Sequence, residues 1–168
     1  MCIQKIARSL CGHVIVEPPA PEPLEWWEVN KPTGDERISG VEIRTILHKK
    51  FPEAIINMGD RWYTLPSYDD IAFFVAQDQT NKFEYVADDE LISSYDCNRF
   101  ATRLHGEFSV PGWADLTFGK AWTDQPDTHA LNWFIDEERN FWWLEPQSDA
   151  ITARLSDTED TVVRFMEC

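Results

Sequence analysis

The order of the hydrophobic patterns along the chain is the feature that most constrains its fold. Apolar residues recur at helical spacing in the earlier part, and strand-like runs follow Pro111-Gly112. The spacing predicts helices at about 40–50, from Ser67 onward and from Cys97 to Phe108. Strands are predicted at 55–56, 61–63, 114–118, 129–135, 141–145 and 162–165. Helices that precede strands favour an α+β fold, with N-terminal helices packed on an antiparallel β-sheet.

The length and a proline-rich stretch predict how the chain is divided. Its 168 residues suit one domain. Residues 17–23 hold four prolines, which favours an extended polyproline segment. We therefore expect an N-terminal segment and linker over 1–23 and one main domain over 24–168. Trp26 and Trp27 are expected to mark the point where the chain docks on that domain.

Charge and cysteine content exclude several classes of function. Fifteen Lys and Arg against thirty Asp and Glu give a net charge of −15, which repels both a phosphate backbone and an anionic membrane surface. No stretch approaches the roughly 18 apolar residues of a membrane span. The cysteines are scattered and form no CxxC pair, so a zinc site of that type is excluded; they are Cys2, Cys11, Cys97 and Cys168. This usage favours a reducing compartment and predicts a cytoplasmic protein.

Cys97 is a candidate nucleophile because of its place in the third helix. Asp96 is a suitable N-cap, so Cys97 falls in the first turn. The helix dipole and the unpaired amides there stabilise a thiolate and an oxyanion. The alternative is a small buried hydrophobe, which is how most free cysteines behave.

His129 and Glu145 could complete a catalytic group with Cys97. His129 opens an apolar strand, where its ring would have a fixed orientation and could accept the thiol proton. If Ile135 and Phe141 are paired across a five-residue loop, Glu145 lies on the same face as His129 and could orient the imidazole. A core histidine bonded to the backbone and a solvated carboxylate are the alternatives. A change of one residue in loop length would reverse the face of Glu145.

Three blocks of the sequence resemble a known family. They are Tyr95-Asp96-Cys97-Asn98-Arg99-Phe100-Ala101, the run from His129 to Asp136, and Trp143-Leu144-Glu145-Pro146-Gln147. Together they resemble the papain-like cysteine protease domain at the C-terminus of Marasmius oreades agglutinin. The resemblance spans roughly residues 60–150 and implies a papain-like fold and peptidase activity on a peptide or protein substrate.

The resemblance also assigns roles to individual residues. It implies Cys97 as nucleophile, His129 as base and Glu145 as orienting acid, with Gln147 and Asn132 near substrate or oxyanion. The related mushroom protein is calcium-dependent, so the resemblance brings in calcium as a cofactor. Here Asn98 and Arg99 stand where the family has acidic residues, and the Arg99 cation would weaken such a site. The lectin domain of that protein has no counterpart in this chain.

Three functional hypotheses remain open on the sequence. The first is a cysteine hydrolase, most plausibly a peptidase, that works through an acyl-enzyme, with a transamidase as a close variant. The second is an acidic protein that mimics nucleic acid and blocks a binding partner. The third is a binding module that kept the fold and lost the activity. The oligomeric state and the substrate are not defined by any motif.

Overall fold

The computed structural model describes residues 7–8, 14–15, 25–86, 95–125, 128–155 and 161–168. Within residues 1–23 it describes two short strands, β1 (Ala7–Arg8) and β2 (Val14–Ile15), which pair antiparallel. The rest of the predicted N-terminal segment and linker lies outside the described residues. Within the described part, no helix is long and apolar enough to cross a membrane.

The remaining described elements are helices and short strands as far as α4, and five strands after it. The helices are α1 (Trp26–Val29), α2 (Gly40–Lys50), α3 (Tyr68–Gln77) and α4 (Cys97–Glu107), with a 3-10 turn at Thr80–Lys82. The strands are β3 (Arg37–Ser39), β4 (Ile55–Asn57), β5 (Trp62–Thr64), β6 (Phe118–Gln125), β7 (His129–Ile135), β8 (Phe141–Glu145), β9 (Ala150–Thr152) and β10 (Val162–Glu167).

Two of the long helices begin where the sequence predicts, and each begins with a capping box. The Ser39 hydroxyl accepts a hydrogen bond from the Glu42 amide, and the Glu42 carboxylate accepts one from the Ser39 amide, which starts α2. Ser67 and Asp70 form the same reciprocal pair at the start of α3. These helix predictions are confirmed.

A six-stranded sheet dominates the architecture. Its strand order is β4-β10-β6-β7-β8-β9, and β3 with β5 forms a separate two-stranded sheet. The β4–β10 pair is parallel, and the other pairs in the large sheet are antiparallel. The sheet is therefore mixed.

Both faces of the large sheet are covered by buried apolar side chains. On one face, Leu131 and Trp133 pack in a cluster with residues of α2 such as Ile43. On the other face, Phe134 and Leu144 pack in a cluster with residues of α3 and α4. Because β7 is enclosed on both sides, its residues after His129 are all buried.

The predicted fold class, a papain-like α+β fold with N-terminal helices on an antiparallel sheet, is wrong. Strands β3, β4 and β5 lie among the helices in the chain, and β4 joins the main sheet through a parallel pair. The helices are short and lie on two sides of a dominant sheet. The strands predicted at 55–56 and 61–63 overlap β4 and β5, but no local pattern predicts that β4 pairs in parallel with β10 in the main sheet.

The strand predicted at 114–118 is also misplaced. Residues up to Ala114 continue a turn that follows α4, and β6 begins only at Phe118. The strands predicted at 129–135 and 141–145 match β7 and β8. The closing strand predicted at 162–165 lies within β10.

Candidate functional site

Cys97 is the first residue of α4, as its sequence context predicts. The side chain of Asp96 accepts a hydrogen bond from the Arg99 amide at 3.3 Å and caps the helix. The buried stripe of α4 consists of Phe100, Ala101 and Leu104, so packing holds the helix in one orientation. Cys97 itself is partly exposed and carries a free thiol.

His129 and Glu145 form a direct hydrogen bond across the sheet. His129 Nε2 lies 2.6 Å from Glu145 Oε2, and the two side chains are 29% and 32% exposed. The strands pair Ile135 with Phe141, so the predicted register that puts the imidazole and the carboxylate on one face is correct. Because Glu145 engages Nε2, the ring presents Nδ1 for any further proton transfer.

Gln147 holds the other oxygen of the Glu145 carboxylate. Its backbone amide and its side-chain Nε2 donate to Glu145 Oε1 at 3.2 and 3.3 Å. The carboxylate therefore binds the imidazole with one oxygen and the turn after β8 with the other. This is the arrangement of a positioned acid, because fixing the carboxylate also fixes the plane of the ring.

Asn132 joins α4 to the sheet. It is fully buried, and its Nδ2 donates to the carbonyl oxygens of Ala101 at 3.0 Å and Gly119 at 3.1 Å. Its Oδ1 is buried and has no hydrogen-bond partner. The side chain thus positions the helix that carries Cys97.

Contacts along α4 show which end of β7 lies beneath its amino end. His105, near the carboxyl end, lies against Phe118, which pairs with Phe134 late in β7. One turn earlier, Ala101 contacts Asn132. One further turn toward the amino terminus of α4 is about 6 Å along its axis. The first residues of the helix therefore lie toward the start of β7.

Cys97 and His129 approach that end of β7 from different sides. Side chains alternate along a strand, so His129 shares the face of Leu131, whereas α4 covers the face of Asn132. No hydrogen bond links Cys97 Sγ to the imidazole among the described residues. Hydrogen bonds thus connect His129, Glu145 and Gln147. Cys97 lies on α4, which is bonded to Asn132, three residues after His129 in β7.

Residues 25–86, 95–125, 128–155 and 161–168 contain no group of three or more His, Cys, Asp or Glu side chains that could hold a metal ion. Arg99, at the expected calcium position, is exposed in the first turn of α4. No step proposed below involves a metal.

Cys168 differs sharply from Cys97 in its surroundings. Its Sγ lies 3.3 Å from the Phe118 carbonyl oxygen, and burial raises the pKa of this thiol far above its usual range. It is therefore a poor nucleophile. Sequence alone could not separate the two thiols by burial, because both stand at element ends.

Similarity to known proteins appears only at the level of structure. Neither protein-family models nor curated proteins match the chain. PSL1a in its complex with E64 has 19% sequence identity and a TM-score of 0.64, covering 79% of this chain and 50% of that chain. Polyporus squamosus lectin bound to the epitope Neu5Aca2-6Galb1-4GlcNAc has 19% identity and a TM-score of 0.61, covering 79% and 49%.

These likenesses place the chain in a class defined by fold alone: a β-rich architecture built on one large sheet. Both structures are of Polyporus squamosus lectin, also called PSL1a, and this chain spans about half the length of each chain it matches. At this level of identity the likeness concerns the fold alone.

The comparison contradicts the family predicted from the sequence. The similar structures are described as a lectin, so the assignment to papain-like cysteine proteases is corrected, together with the classification as a protease or a related amidase or transamidase. The three sequence blocks that suggested the family surround Cys97, His129 and Glu145. Short blocks of this kind report local side-chain arrangement more than family membership, and a function must be argued from the site itself.

Proposed function

We propose that the chain is a cysteine hydrolase in which Cys97 forms an acyl-enzyme with the help of the His129–Glu145 pair. The observation that carries the proposal is the 2.6 Å bond from His129 Nε2 to a carboxylate that Gln147 holds in place. The proposal rests on these side chains and not on a family.

The proposed reaction has two stages. The proposal requires the Cys97 thiol, on the helix that covers one face of β7, and the His129 ring, on the other face, to meet at the amino end of that strand. There the thiol gives its proton to His129 Nδ1, and Sγ attacks the carbonyl carbon of an acyl substrate. The imidazolium, which the Glu145 carboxylate stabilises, returns the proton to the leaving group, and a thioester remains. Water then attacks the thioester, His129 accepts its proton, and the proton returns to Sγ as the acid is released. A peptide or protein as acyl donor is the finer form of this proposal.

Two features support Cys97 as the attacking group. Its position at the first residue of α4 places Sγ beside unpaired backbone amides, which stabilise both a thiolate and the oxyanion of the intermediate. Both cysteines are partly exposed, but Cys168 Sγ lies against the Phe118 carbonyl oxygen and its thiol pKa is raised, so Cys97 is the better candidate for a nucleophile.

The decisive experiment measures acylation at Cys97. p-Nitrophenyl acetate and a mixed fluorogenic peptide library are incubated with the full chain, and the cysteines are mapped by mass spectrometry. We expect an acetyl group on Cys97, absent from Cys168, and turnover that falls about 100-fold or more in His129→Ala and in Glu145→Gln. The matched controls are His48→Ala and Glu53→Gln, which change exposed residues of the same types.

Two results would remove the proposal. One is an acylation rate at Cys97 that is the same in wild type and His129→Ala. The other is an acetyl group that is found on Cys168 and is absent from Cys97. Ester turnover without peptide turnover would keep the hydrolase and reject the peptide substrate.

A second candidate function is a non-enzymatic binding module that binds carbohydrate. The observation that favours it is the likeness to a lectin solved with a bound glycan, although that glycan is a property of the other protein and this chain spans about half of it. Binding of glycans on an array that persists in Cys97→Ser would support this candidate. A chain that binds no glycan would reject it.

A further inference from the structure

A cavity of about 550 Å³ lies at the turn that joins β7 to β8. The last turns of α2, this turn and the residues after β9 enclose it. Ile135 ends β7 beside the cavity, because it pairs with Phe141 of the wall, whereas His129 begins the same strand. At about 3.3 Å per residue, His129 therefore lies about 20 Å from this end of β7. The cavity is separate from the proposed hydrolase site.

The described wall of this cavity is basic, although the chain as a whole has a net charge of −15. Its charged residues are Lys49, Lys50, Arg139 and Arg154. They are four of the fifteen Lys and Arg in the chain, and no Asp or Glu lies among the described residues of the wall. A cleft lined by one sign of charge raises the local concentration of ligands of the opposite sign.

Three of these cations have no counter-charge among the residues that the structure describes. Lys50 Nζ lies over the rings of Phe51 and Phe141, at 5.7 and 5.4 Å from their centroids. These contacts position the ammonium group without neutralising it. Among the described residues, no carboxylate forms an ion pair with Lys49, Lys50 or Arg154, all of which are exposed. Their charges are therefore available to a ligand.

The carboxylates of the β7–β8 turn are bonded to other groups. Asp136 is only 4% exposed and accepts hydrogen bonds from the Asn140 amide at 2.8 Å and from Trp142 Nε1 at 2.7 Å. Glu138 accepts one from Asn140 Nδ2 at 3.2 Å. Neither carboxylate lines the cavity. The turn therefore presents its cation, and not its acids, to the cavity.

Arg139 occupies a backbone position that disfavours a long side chain. Its φ of 64° lies in the left-handed region, which glycine adopts without strain. Its side chain donates to Glu36 Oε1 at 2.6 Å, but the two side chains are 45% and 49% exposed, so solvent screens this pair. The bond uses one of the guanidinium N–H donors and leaves the others. Because the strain is larger than the usual contribution of an exposed pair, stability does not explain an arginine here, and strain of this kind marks residues retained for function.

The chemistry of the wall selects the class of ligand. Guanidinium groups bind phosphate and carboxylate oxygens in a bidentate geometry, and ammonium groups bind either as point charges. Four cations around one cavity favour a group with more than a single negative charge, and a phosphate ester carries about −1.5 to −2 at pH 7. The volume is within the roughly 300–1,000 Å³ of small-molecule sites. A nucleic acid or an anionic membrane would instead meet the acidic surface of the whole chain.

We propose that this cavity binds the phosphate groups of a small phosphorylated molecule, with Arg139 and Lys50 in contact with phosphate oxygens. Ile46 and Trp142 form an apolar part of the wall beside these cations. A free diphosphate and a nucleotide share this chemistry, and the experiment below separates them. The site uses neither Cys97 nor His129, so it can fail while the hydrolase proposal stands, and the reverse.

The test is ligand binding to the full chain, measured by isothermal titration calorimetry in about 150 mM NaCl without divalent metal ions. The probes are pyrophosphate and ATP, with citrate as a carboxylate comparator. We expect both phosphate compounds to saturate, with affinity about tenfold weaker or more in Arg139→Gly and in Lys50→Gln. Tighter binding of ATP than of pyrophosphate would identify a nucleotide site, and the reverse order would identify a diphosphate site.

The Arg139→Gly variant separates function from stability. Glycine relieves the left-handed strain, so its melting temperature should equal or exceed that of the wild type while binding weakens. Arg44→Gln is the matched control for Lys50→Gln, because it removes the same charge from an exposed position of α2 that does not line the cavity. Arg44→Gln and Cys97→Ser should both bind pyrophosphate as the wild type does.

Three outcomes would overturn the proposal. The first is the absence of saturable binding by both pyrophosphate and ATP in the millimolar range. The second is an affinity that is the same in the wild type, Arg139→Gly and Lys50→Gln. The third is tighter binding of citrate, or of a polyglutamate peptide, than of either phosphate compound, which would assign the cavity to carboxylates or to an acidic peptide segment instead.

Discussion

Replacement of Asn132 by Asp should destabilise the protein in a way that depends on pH. The Asn132 amide donates to the Ala101 and Gly119 carbonyl oxygens at 3.0 and 3.1 Å, and the residue is fully buried. An aspartate has almost the same shape but, when ionised, has no proton to donate. Two carbonyl oxygens and a carboxylate would then face one another without solvent.

The contacts set the size of the effect. Two hydrogen bonds lost at about 1 kcal/mol each account for about 2 kcal/mol. Burying an unpaired charge adds several kcal/mol, unless the introduced carboxyl stays protonated. Burial raises the folded-state pKa of that carboxyl above its unfolded value of about 3.9. The variant is therefore least destabilised below pH 4 and loses stability as the pH rises through its folded-state pKa.

Urea unfolding of wild type and Asn132→Asp at pH 4 and pH 8 measures this directly. We expect a deficit of about 4 kcal/mol or more at pH 8 and about half of that at pH 4. Asn132→Ala should lose about 2 kcal/mol at both pH values. The control Asn57→Asp changes an exposed asparagine of β4 and should stay within about 0.5 kcal/mol of wild type. A deficit below 1 kcal/mol at pH 8 would refute the view that Asn132 holds α4 to the sheet.

Two further predictions follow from the described contacts. Burial alone would raise the pKa of Asp70, but hydrogen bonds from the backbone amides of Thr33, Ser67 and Gly34 outweigh it and lower the pKa. Asp70→Asn should therefore lower the free energy of unfolding by about 1–3 kcal/mol at pH 7, measured in urea. This loss should shrink as the pH falls below 4, because the wild type then loses the same stabilisation. An unchanged cost at pH 3 would contradict the assignment. Gly119→Ala should lower the melting temperature sharply in calorimetry, because a Cβ there would lie 2.0 Å from the Glu167 carbonyl oxygen and 2.8 Å from the Trp133 ring. If the free energy of unfolding falls by less than about 1 kcal/mol, β6 and β10 separate more easily than the structure implies.

Capping chemistry and the hairpin register could be predicted from the sequence because both depend on local rules. A Ser followed three residues later by an acid specified the start of α2 at Ser39, and the loop between Ile135 and Phe141 specified which residues of β7 and β8 are paired. The second rule placed Glu145 on the same face as His129, and the structure bonds them. The predicted register therefore placed two residues of the candidate site, His129 and Glu145, on the correct face.

The arrangement of the layers could not be predicted in the same way. β4 has three residues and joins the sheet beside β10, which lies more than a hundred residues later in the chain. No local pattern encodes that partner. β6 was missed because Gly119 and Lys120 break the apolar pattern, and Gly119 is required there by close backbone approach and not by turn geometry.

The run from His129 to Ile135 shows where local and non-local information meet. A strand that is apolar on both faces indicates a sheet covered on both sides, and Asn132 within it ties α4 to the strand by a side-chain hydrogen bond to the Ala101 carbonyl oxygen. Glu145 then holds the imidazole from one face, while Asn132 holds the cysteine helix from the other. Because the Asn132 and Glu145 hydrogen bonds lie on different faces of β7, replacing Asn132 should change the reactivity of Cys97 without breaking the His129–Glu145 bond. Replacing Glu145 should leave α4 in place and change only the orientation of the His129 ring. We therefore expect substitutions at Asn132 and at Glu145 to impair the site in two distinguishable ways, the first through the position of Cys97 and the second through the orientation of the imidazole.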